Sequence, residues 1–504
     1  MGKEIELKLA LPEPAQRAFL RHPLLKTAAS KHTAQLDNIY YDTPDLTLRR
    51  AAIAVRLRRQ GRAWLQTVKC AGSAAGGLSS RPEWETPYGG QFDFAHIDDD
   101  AVRARLTKHG VPSRLTPLFE TRFRRTTWNF GGVLLMFDRG WIASGGRREA
   151  ISELELELAG GDVADLFALA RTLADRLPLM PAPLSKAERG FRLRLAAPAT
   201  PVKAVEIPLA ADMPPEAAFQ AVALSCLEQM QRNHAGAVAS EDPEYIHQMR
   251  VATRRLRASL RLFAPVIPTG LIEALLPPLR ETMGRLGKAR DMDVLLAEIC
   301  APVIAALPAE PRLAALAGVI TDRRHAARRA AIRHLESREF GLATIDVAAQ
   351  LHRPLPASAD PIASTQDFAA TRLQRLRRKV RTLAASARLD DPTTLHALRI
   401  SVKRLRYALE FFASLARGKS QRRHALRLAA IQDTLGQLND LANAGHLLMD
   451  CADNDDRLRE AVTLIAGWHG PRHAALMARL PKLIEELQRL PRLTSRPRNA
   501  EAAQ

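Results

Sequence analysis

Hydrophobic and polar residues alternate one by one through much of the first 195 residues of this chain. Alternation with a period of two is typical of β-strands that bury one face. It predicts strands at EIELKLAL, AIAVRLRR, AWLQTVKC, VLLMFD and ISELELEL. Two helices are expected to interrupt them, at about 12–29 and at 162–177, where Asp162 is the expected N-cap. The pattern is that of an α+β, mostly antiparallel domain.

After this region the apolar residues take helical spacing almost throughout. The segment 196–215 is rich in Ala and Pro and has no sustained period, which indicates a linker. A second break at 352–365 divides the helical part into comparable halves. We therefore expect a strand domain at 1–197, a linker at 198–212, a helical domain at 213–490 with halves at about 213–350 and 366–490, and a flexible tail at 491–504.

The two helical halves resemble each other in sequence. Residues 246–263 read IHQMRVATRRLRASLRLF, and residues 395–412 read LHALRISVKRLRYALEFF, at an offset of 149. The same offset carries an L-G-x-x-x-D block at 286–291 onto 435–440. A gapless offset that recurs in two separate blocks predicts a duplicated helical unit.

The amino-acid composition indicates a general class of binding partner but does not identify one member of it. The 504 residues include 74 Lys+Arg and 54 Asp+Glu, so the formal net charge is +20, of which +8 lies in residues 1–200. A basic protein attracts polyanions, whether nucleic acid, an anionic membrane surface or a phosphate polymer. No apolar run is long enough to cross a membrane, and the first residues do not resemble a signal peptide. We expect a cytoplasmic protein.

Charged residues in the strand domain share faces of their strands. Glu4, Glu6 and Lys8 alternate with apolar residues, and the same holds for the arginines in AVRLRR and the glutamates in SELELEL. One such strand could simply have a solvated face. Repetition over several strands instead predicts a closed interior, with carboxylates on some walls and basic groups on others. Carboxylate oxygens suit Mg²⁺ or Mn²⁺, and Arg and Lys suit phosphate, which together are the groups that phosphoryl transfer needs.

These motifs resemble those of the CYTH, or triphosphate tunnel metalloenzyme, family. The chain has ExExK at 4–8, followed in the same order by R-x-R, a strand-end Lys69, RPE, R-T-T-W, FDRG, ELELEL and SKAERG. The resemblance covers nearly all of residues 1–195. It implies an α+β fold built on an antiparallel eight-stranded tunnel barrel that is open at both ends.

The resemblance also implies roles for individual residues. The basic residues that would bind the triphosphate substrate are Arg56, Arg58, Lys69, Arg125 and Lys186. The residues that would hold Mg²⁺ or Mn²⁺ are Glu4, Glu6, Asp138, Glu153 and Glu155. These metal-holding carboxylates would also position the attacking water. The catalytic set is Glu4, Glu6, Lys8 and Glu83, in which Lys8 would contact the phosphates or orient neighbouring carboxylates and Glu83 has no assigned step. Strand parity places Arg122 and Arg124 on the outer surface and leaves Glu85 and Glu157 without a role.

The duplicated helices carry a row of basic residues. In the first repeat the spacing is 3, 4, 3, 4, which confines the row to an arc of roughly 80° of the helix. Like charges at i and i+4 repel each other, so an unbalanced row implies an anion that neutralises it. The residues of these basic stripes are His247, Arg250, Arg254, Arg257 and Arg261 in the first repeat, and His396, Arg399, Lys403 and Arg406 in the second.

The repeated H-x-x-R…R-x-L-R helix resembles the CHAD domain, a family associated with inorganic polyphosphate. The resemblance covers about residues 213–490 and implies two pseudo-symmetric four-helix bundles that bind polyphosphate through the stripes. Aromatic residues make up only 5% of the chain and none interleaves with the first stripe, which argues against nucleic acid.

Together these features predict a divalent-metal-dependent inorganic triphosphatase that also binds polyphosphate, located in the cytoplasm with polyphosphate granules as a further site. Two alternatives stay open. One is another reaction of the CYTH family, as in class IV adenylyl cyclases or thiamine-triphosphatases, and the other is a polyphosphate-binding protein without catalysis. The sequence does not indicate an oligomeric state.

Overall fold

The structure is a computed structural model that describes residues 2–70, 72–356, 364–415 and 419–492. Most of the expected tail at 491–504, and part of the expected break at 352–365, lie outside these residues. None of the described helices is long and apolar enough to cross a lipid bilayer.

Eight antiparallel strands close into a barrel in the first part of the chain. In order round the ring they are β1, β9, β8, β7, β2, β3, β4 and β6, and β6 pairs back with β1. Two short strands, β5 and β10, add to β6 and β1. The strands are β1 (Gly2–Ala10), β2 (Ser30–Asp42), β3 (Ile53–Gln60), β4 (Ala63–Cys70), β5 (Ser73–Ala75), β6 (Leu78–Pro87), β7 (Thr116–Asn129), β8 (Val133–Ser144), β9 (Arg147–Leu158) and β10 (Met180–Pro181).

Short helices connect and cover these strands. They are α1 (Gln16–Leu20), α2 (Thr47–Arg50), α3 (Asp100–Thr107), α4 (Val111–Arg114), α5 (Val163–Ala174) and α6 (Lys186–Arg194). The predicted helix at 162–177 is confirmed as α5, with Asp162 as its N-cap in a capping box. The predicted continuous helix at about 12–29 is wrong. The segment instead forms two 3₁₀ turns, each with a proline in its first positions, and the short α1 between them. Helix α1 ends before Pro23, because a proline lacks the backbone N–H and disfavours a helical residue before it.

The barrel interior is polar in one part and apolar in another. A buried cluster that includes Phe119, Phe123 and Ile142 joins Phe191 of α6 inside the barrel. Phe191 packs edge-on against Phe119 at 5.2 Å between ring centroids. This part of the interior is therefore filled by apolar side chains, whereas the sequence resemblance implied openings at both ends.

The rest of the described chain is helical. Its helices are α7 (Pro215–Ala239), α8 (Pro243–Leu262), α9 (Thr269–Val294), α10 (Ala301–Ala306), α11 (Pro311–Leu335), α12 (Arg338–His352), α13 (Thr365–Ala385), α14 (Pro392–Phe411), α15 (Lys419–Ala452) and α16 (Asp456–Gln488). A π-helical turn, Leu295–Cys300, joins α9 to α10. Helices α13, α14, α15 and α16 pack on one another in sequence, and α16 returns to α13, which makes a four-helix bundle.

The duplication is visible in the helix boundaries. Helices α8 and α14 each have 20 residues, and both ends of α14 lie 149 positions after those of α8. Each begins with proline after an aspartate N-cap, Asp242 or Asp391, whose side chain accepts a hydrogen bond from a backbone N–H of the first turn. The predicted repeat is therefore present in the local structure as well as in the sequence.

The chain forms two compact units. The barrel unit contains Met1–Val202, Leu227–Ser240 and His334–Arg353, and the helical unit contains Lys203–Cys226, Glu241–Arg333 and Pro354–Gln504. Within the barrel unit, α12 packs against α5. It also packs against the segment at β10, where Gly341 permits a close approach because a Cβ atom there would lie 2.1 Å from the backbone oxygen of Leu179.

Candidate functional site

Three carboxylates form a buried cluster on the inner face of the barrel. Strand register places Asp138 of β8 directly opposite Glu153 of β9, and Glu155 follows two positions later on the same face. Each of the three can offer one oxygen, and these oxygens all lie within 4.8 Å of one another. All three residues are buried. A compact set of hard oxygen donors suits Mg²⁺ or Mn²⁺, so the residues present fit a divalent cation of this kind.

Two basic side chains lie against this carboxylate cluster. Lys186 Nζ donates to Asp138 at 2.7 Å and to Glu155 at 2.9 Å, and it also contacts Glu153. Arg125 donates from Nε and Nη2 to the two oxygens of Asp138, at 2.7 and 2.6 Å, and contacts Glu155 as well. Burial alone would raise the pKa of Glu155, but Lys186 and Arg125 hold that pKa well below its usual value. The two cations therefore favour the ionised form of Glu155, which is the form that can bind a metal ion.

Helix α6 fixes Lys186 in this position. Ser185 caps the helix in a capping box with Glu188, and Lys186 is the first helical residue. Farther along α6, Arg189 donates to Glu149 at 2.7 Å and to Glu153 at 3.0 Å. Arg189 is not among the site residues predicted from the sequence. Arg189 lies three positions after Lys186, so the two residues share a face of the predicted helix, which was the available signal. Nothing in the sequence showed that this helix would pack against β9.

A second wall carries Glu4 and Glu6 of β1. Lys69 Nζ lies 2.8 Å from Glu4, and Arg81 donates to Glu4 at 3.1 Å and to Glu6 at 2.5 Å. Arg81 is an inward-facing basic residue that the sequence analysis missed. The signal was present, because Arg81 shares strand parity with Glu83 in RPEWET. The two glutamates raise the pKa of Arg81 against the opposing effect of burial.

A third wall combines two arginines of β3 with carboxylates of β6. The pairs Arg56–Glu83 and Arg58–Glu85 are long, at 3.5 and 3.4 Å, while Lys69 Nζ lies 2.8 Å from Glu83. Arg56 Nε is buried, and no atom of the described residues accepts a hydrogen bond from it. Burial and the charge of Arg56 lower the pKa of Arg58 to about 10. These guanidinium groups are less fully neutralised than Arg125 and are placed to receive an anion.

The walls are linked to one another by shared cations. Lys8 Nζ lies 3.5 Å from both Glu6 and Glu155, so it joins the second wall to the carboxylate cluster. Lys69 joins Glu4 to Glu83 in the same way. The structure thus brings all the residues predicted for catalysis, substrate and metal into one interior.

The residues left without a role at first are now placed. Both Glu85 and Glu157 face inward. Glu85 lies opposite Thr67 and accepts a hydrogen bond from the Thr67 hydroxyl at 2.9 Å, and Glu157 lies opposite Glu6. Burial and the nearby charge of Glu4 raise the pKa of Glu157 to about 7. Arg122 and Arg124 are exposed and face away from the interior, as strand parity predicted.

The basic stripes of the helical unit lie on α8 and α14. Arg254 Nε donates to Tyr407 of α14 at 2.6 Å, which brings the two stripes together. Burial and the guanidinium groups of Arg254 and Arg399 lower the pKa of Lys403 to about 7. The Nε atoms of Arg257 and Arg399 are buried, and no atom of the described residues accepts a hydrogen bond from them. The stripes therefore form a partly buried surface with more positive charge than the chain itself neutralises.

The repeated L-G-x-x-x-D blocks support these stripes. Gly287 leaves room for Arg250, whose Nη1 would lie 2.7 Å from a Cβ atom at that glycine. Asp291 lies 3.8 Å from Arg250. In the second repeat Asn439, next to the corresponding Asp440, accepts a hydrogen bond from Arg399 at 2.7 Å. The blocks thus seat and orient the first arginine of each stripe.

One position breaks the symmetry between the stripes. The second repeat has Glu410 where the first has Arg261. Glu410 Oε1 accepts a hydrogen bond at 2.7 Å from Arg255, which is almost fully buried in the first repeat. The carboxylate is needed to neutralise a buried guanidinium, since a buried charge without a partner is strongly destabilising.

Two known families match the two parts of the chain that contain these sites. Residues 2–191 match the CYTH domain, and residues 221–449 match the CHAD domain. The chain thus contains a CYTH domain followed by a CHAD domain. The CYTH match spans the whole barrel, and the CHAD match includes both basic stripes.

Individual relatives match either part. Over 199 residues the CYTH–CHAD chain is 34% identical to an inorganic triphosphatase of Haemophilus influenzae, which covers 38% of this chain and 55% of that protein. The chain thus matches about half the length of that relative. The crystal structure of the CHAD domain from the plant Ricinus communis is 35% identical, with a TM-score of 0.51, and covers 58% of this chain and 98% of that one. PptA from Streptomyces chartreusis is 17% identical, with a TM-score of 0.44, over 55% of this chain and all of its own.

The pKa of Lys403 predicts how the stability of the CHAD domain depends on pH. The folded state binds this proton less tightly than the unfolded state, so stability should rise as pH increases from about 7 towards 10.5. Lys403→Met should raise the free energy of unfolding at pH 6 by on the order of 2 kcal/mol, with the gain disappearing near pH 10. Thermal denaturation in phosphate-free buffer measures this difference.

The exposed Lys482 of α16 supplies the control. Lys482→Met should give no gain at pH 6. Equal destabilisation by Lys403→Met at both pH values would show that the lysine is held by a favourable contact, contrary to this account.

Proposed function

We propose that the barrel hydrolyses inorganic triphosphate with the help of Mg²⁺ or Mn²⁺. The observation that carries this proposal is the compact, buried carboxylate cluster of Asp138, Glu153 and Glu155 beside a wall of incompletely neutralised arginines. The similarity of the CYTH domain to the Haemophilus influenzae triphosphatase supports the same reaction.

The side chains divide the work by charge. Asp138, Glu153 and Glu155 would hold the metal ion, with Glu4 and Glu6 on the adjacent wall. When bound, Mg²⁺ or Mn²⁺ supplies charge neutralisation for phosphate oxygens and lowers the pKa of a coordinated water. The basic residues that would grip the phosphate chain are Arg56, Arg58, Lys69, Arg81, Arg125 and Lys186. Arg125 and Lys186 now contact the carboxylate cluster, so each can exchange a carboxylate partner for a phosphate oxygen.

Carboxylates also serve the attacking water. Glu83 and Lys8 each lie between two walls, where they can orient groups on both sides. Glu157 has a pKa near neutrality and can therefore accept or return a proton at the pH of the cell. We assign Glu4, Glu6, Lys8 and Glu83 to positioning the water and add Glu157 as a proton acceptor.

The aromatic rings near these charges favour an inorganic substrate over a nucleotide or a thiamine ester. Tyr40 is stacked on Phe119 with 4.6 Å between ring centroids. Phe123 lies under both Lys186 and Arg125, at 4.8 and 5.6 Å. These rings are engaged by the protein and do not present a free face on which a base could stack.

The CHAD domain binds inorganic polyphosphate in this proposal. Half-buried arginines with unused buried Nε atoms need an anionic acceptor, and a phosphate chain supplies oxygens along its length. The stripe residues assigned to this role are His247, Arg250, Arg254, Arg257, Arg261, His396, Arg399, Lys403 and Arg406. A cytoplasmic protein of this kind would be recruited to polyphosphate granules.

Glu155→Gln tests the hydrolytic site. The change removes one negative charge from the carboxylate cluster and should lower kcat for triphosphate by about 100-fold or more. Glu120→Gln, on an exposed outer position of β7, is the matched control and should keep full activity. Phosphate release from triphosphate, ATP and thiamine triphosphate with each metal is the measurement.

Two outcomes would contradict the hydrolytic proposal. One is full triphosphatase activity in a folded Glu155→Gln protein. The other is faster turnover of ATP or thiamine triphosphate than of triphosphate, which would favour another reaction of the CYTH family.

Arg254→Gln/Arg399→Gln tests the stripes. The double variant should weaken binding of long-chain polyphosphate by roughly tenfold and reduce its dependence on salt, because two charge-assisted contacts are lost. Arg329→Gln/Arg427→Gln removes the same charge from exposed helical positions and should have little effect. Fluorescence anisotropy with labelled polyphosphate over a salt series measures both. An equal loss of polyphosphate affinity in the two double variants would contradict the proposal, because general electrostatic attraction would then explain the binding.

A further inference from the structure

The outer surface of the barrel carries arginines that play no part in the tunnel. Strands β7, β8 and β9 place Arg122, Arg124, Arg139 and Arg148 on the face that points away from the interior, and all four are exposed. We call these four residues the outer arginine patch. Trp141 lies among them, opposite Arg122 on β7.

The centre of the outer arginine patch is a pair of like charges. Arg124 of β7 lies directly opposite Arg139 of β8, and their neighbours in the same row are Gln35 on β2 and Ser152 on β9. Neither arginine side chain makes a hydrogen bond or ion pair with any of the described residues. Like charges directly opposite each other destabilise a sheet, so this pair lowers stability unless an anion lies over it.

The neighbouring row is arranged by Trp141. The guanidinium carbon of Arg148 lies 4.7 Å from the ring centroid, and that of Arg122 lies 5.8 Å from it. Arg122 Nε also donates to Asp37 at 2.9 Å. The second carboxylate on this face, Glu120, lies one row farther on, opposite Ala143. Trp141 thus holds Arg122 in the row beside the like-charge pair and Arg148 one row farther on, opposite Ala143. Positive charge exceeds negative charge on this face.

We propose that the outer arginine patch is a second binding site for linear inorganic polyphosphate, separate from the stripes of the CHAD domain. Guanidinium groups in adjacent rows offer several donors to successive phosphates of an extended chain. The site goes beyond the proposed function, because it uses neither the tunnel residues nor the stripe residues.

The same geometry argues against single-stranded nucleic acid as the ligand. Such chains are bound by combining basic groups with aromatic faces on which bases stack. Trp141 is the aromatic residue at the centre of the patch, and two guanidinium groups already lie over its ring. The patch therefore offers donors for phosphate without a platform for bases.

Full-length protein carrying Arg254→Gln/Arg399→Gln provides the background for a test, because binding by the stripes is weakened there. Adding Arg124→Gln/Arg139→Gln should weaken the remaining polyphosphate binding by at least about fivefold at low salt. Adding Arg17→Gln/Arg21→Gln instead removes the same charge from exposed positions in and beside α1 and should change binding less than about twofold. Triphosphate hydrolysis should be unchanged in both and confirms folding.

The comparison ligand is single-stranded poly(dT) of matched charge. The proposed site is supported if Arg124→Gln/Arg139→Gln weakens binding of polyphosphate but not of poly(dT), and if Arg17→Gln/Arg21→Gln weakens neither. Equal losses from the two added pairs would overturn it, since charge alone would then explain binding. An equal or larger loss for poly(dT) would overturn it in favour of nucleic acid. Because stripe binding is measured separately in the parent variants, failure of the patch is distinguishable from failure of the proposed CHAD function.

Discussion

The barrel depends on one electrostatic constraint: its buried carboxylates and its buried cations are stable only together. Removing a carboxylate or an ammonium group from water costs several kcal/mol unless an opposite charge and hydrogen bonds replace the water. Asp138 is fully buried and is accommodated because Arg125 and Lys186 both donate to it. The same requirement explains why α6 enters the barrel, since that helix supplies Lys186. In the proposed function a metal ion and a phosphate chain would satisfy the same charges, so binding would exchange one set of partners for another.

The CHAD domain differs from the barrel, because most of its clustered basic groups have no carboxylate partner. Its stripes gather arginines and Lys403 on adjoining helices and provide few carboxylates to balance them. Where a guanidinium is almost fully buried, as at Arg255, the chain does provide a carboxylate in Glu410. Where the groups are only half-buried, as at Arg254 and Arg399, neutral acceptors such as Tyr407 and Asn439 orient the charge without cancelling it. The proposed polyphosphate ligand would supply the remaining neutralisation.

Much of the barrel interior could be predicted from alternation alone, because side chains on a strand have a fixed period of two. Alternation assigned Glu4, Arg56 and Glu155 to shared faces, and parity placed Arg124 outside. It could not show which strands become neighbours, so the pairing of Arg81 with Glu4 and Glu6 was missed. The contacts between Arg189 and Glu153 and between Arg255 and Glu410 could not be predicted for the same reason. Each contact joins elements that are far apart in sequence, and a local sequence pattern does not predict such a tertiary contact.

The central claim is that the carboxylates of β8 and β9 take the metal while the basic walls take the phosphates. Anomalous X-ray scattering from crystals soaked with Mn²⁺ and a non-hydrolysable triphosphate analogue tests it most directly. The account predicts a manganese peak within coordination distance of Asp138, Glu153 and Glu155, with phosphate density on Arg56 and Arg58. Manganese bound elsewhere, with these three carboxylates still paired only with Arg125 and Lys186, would contradict it.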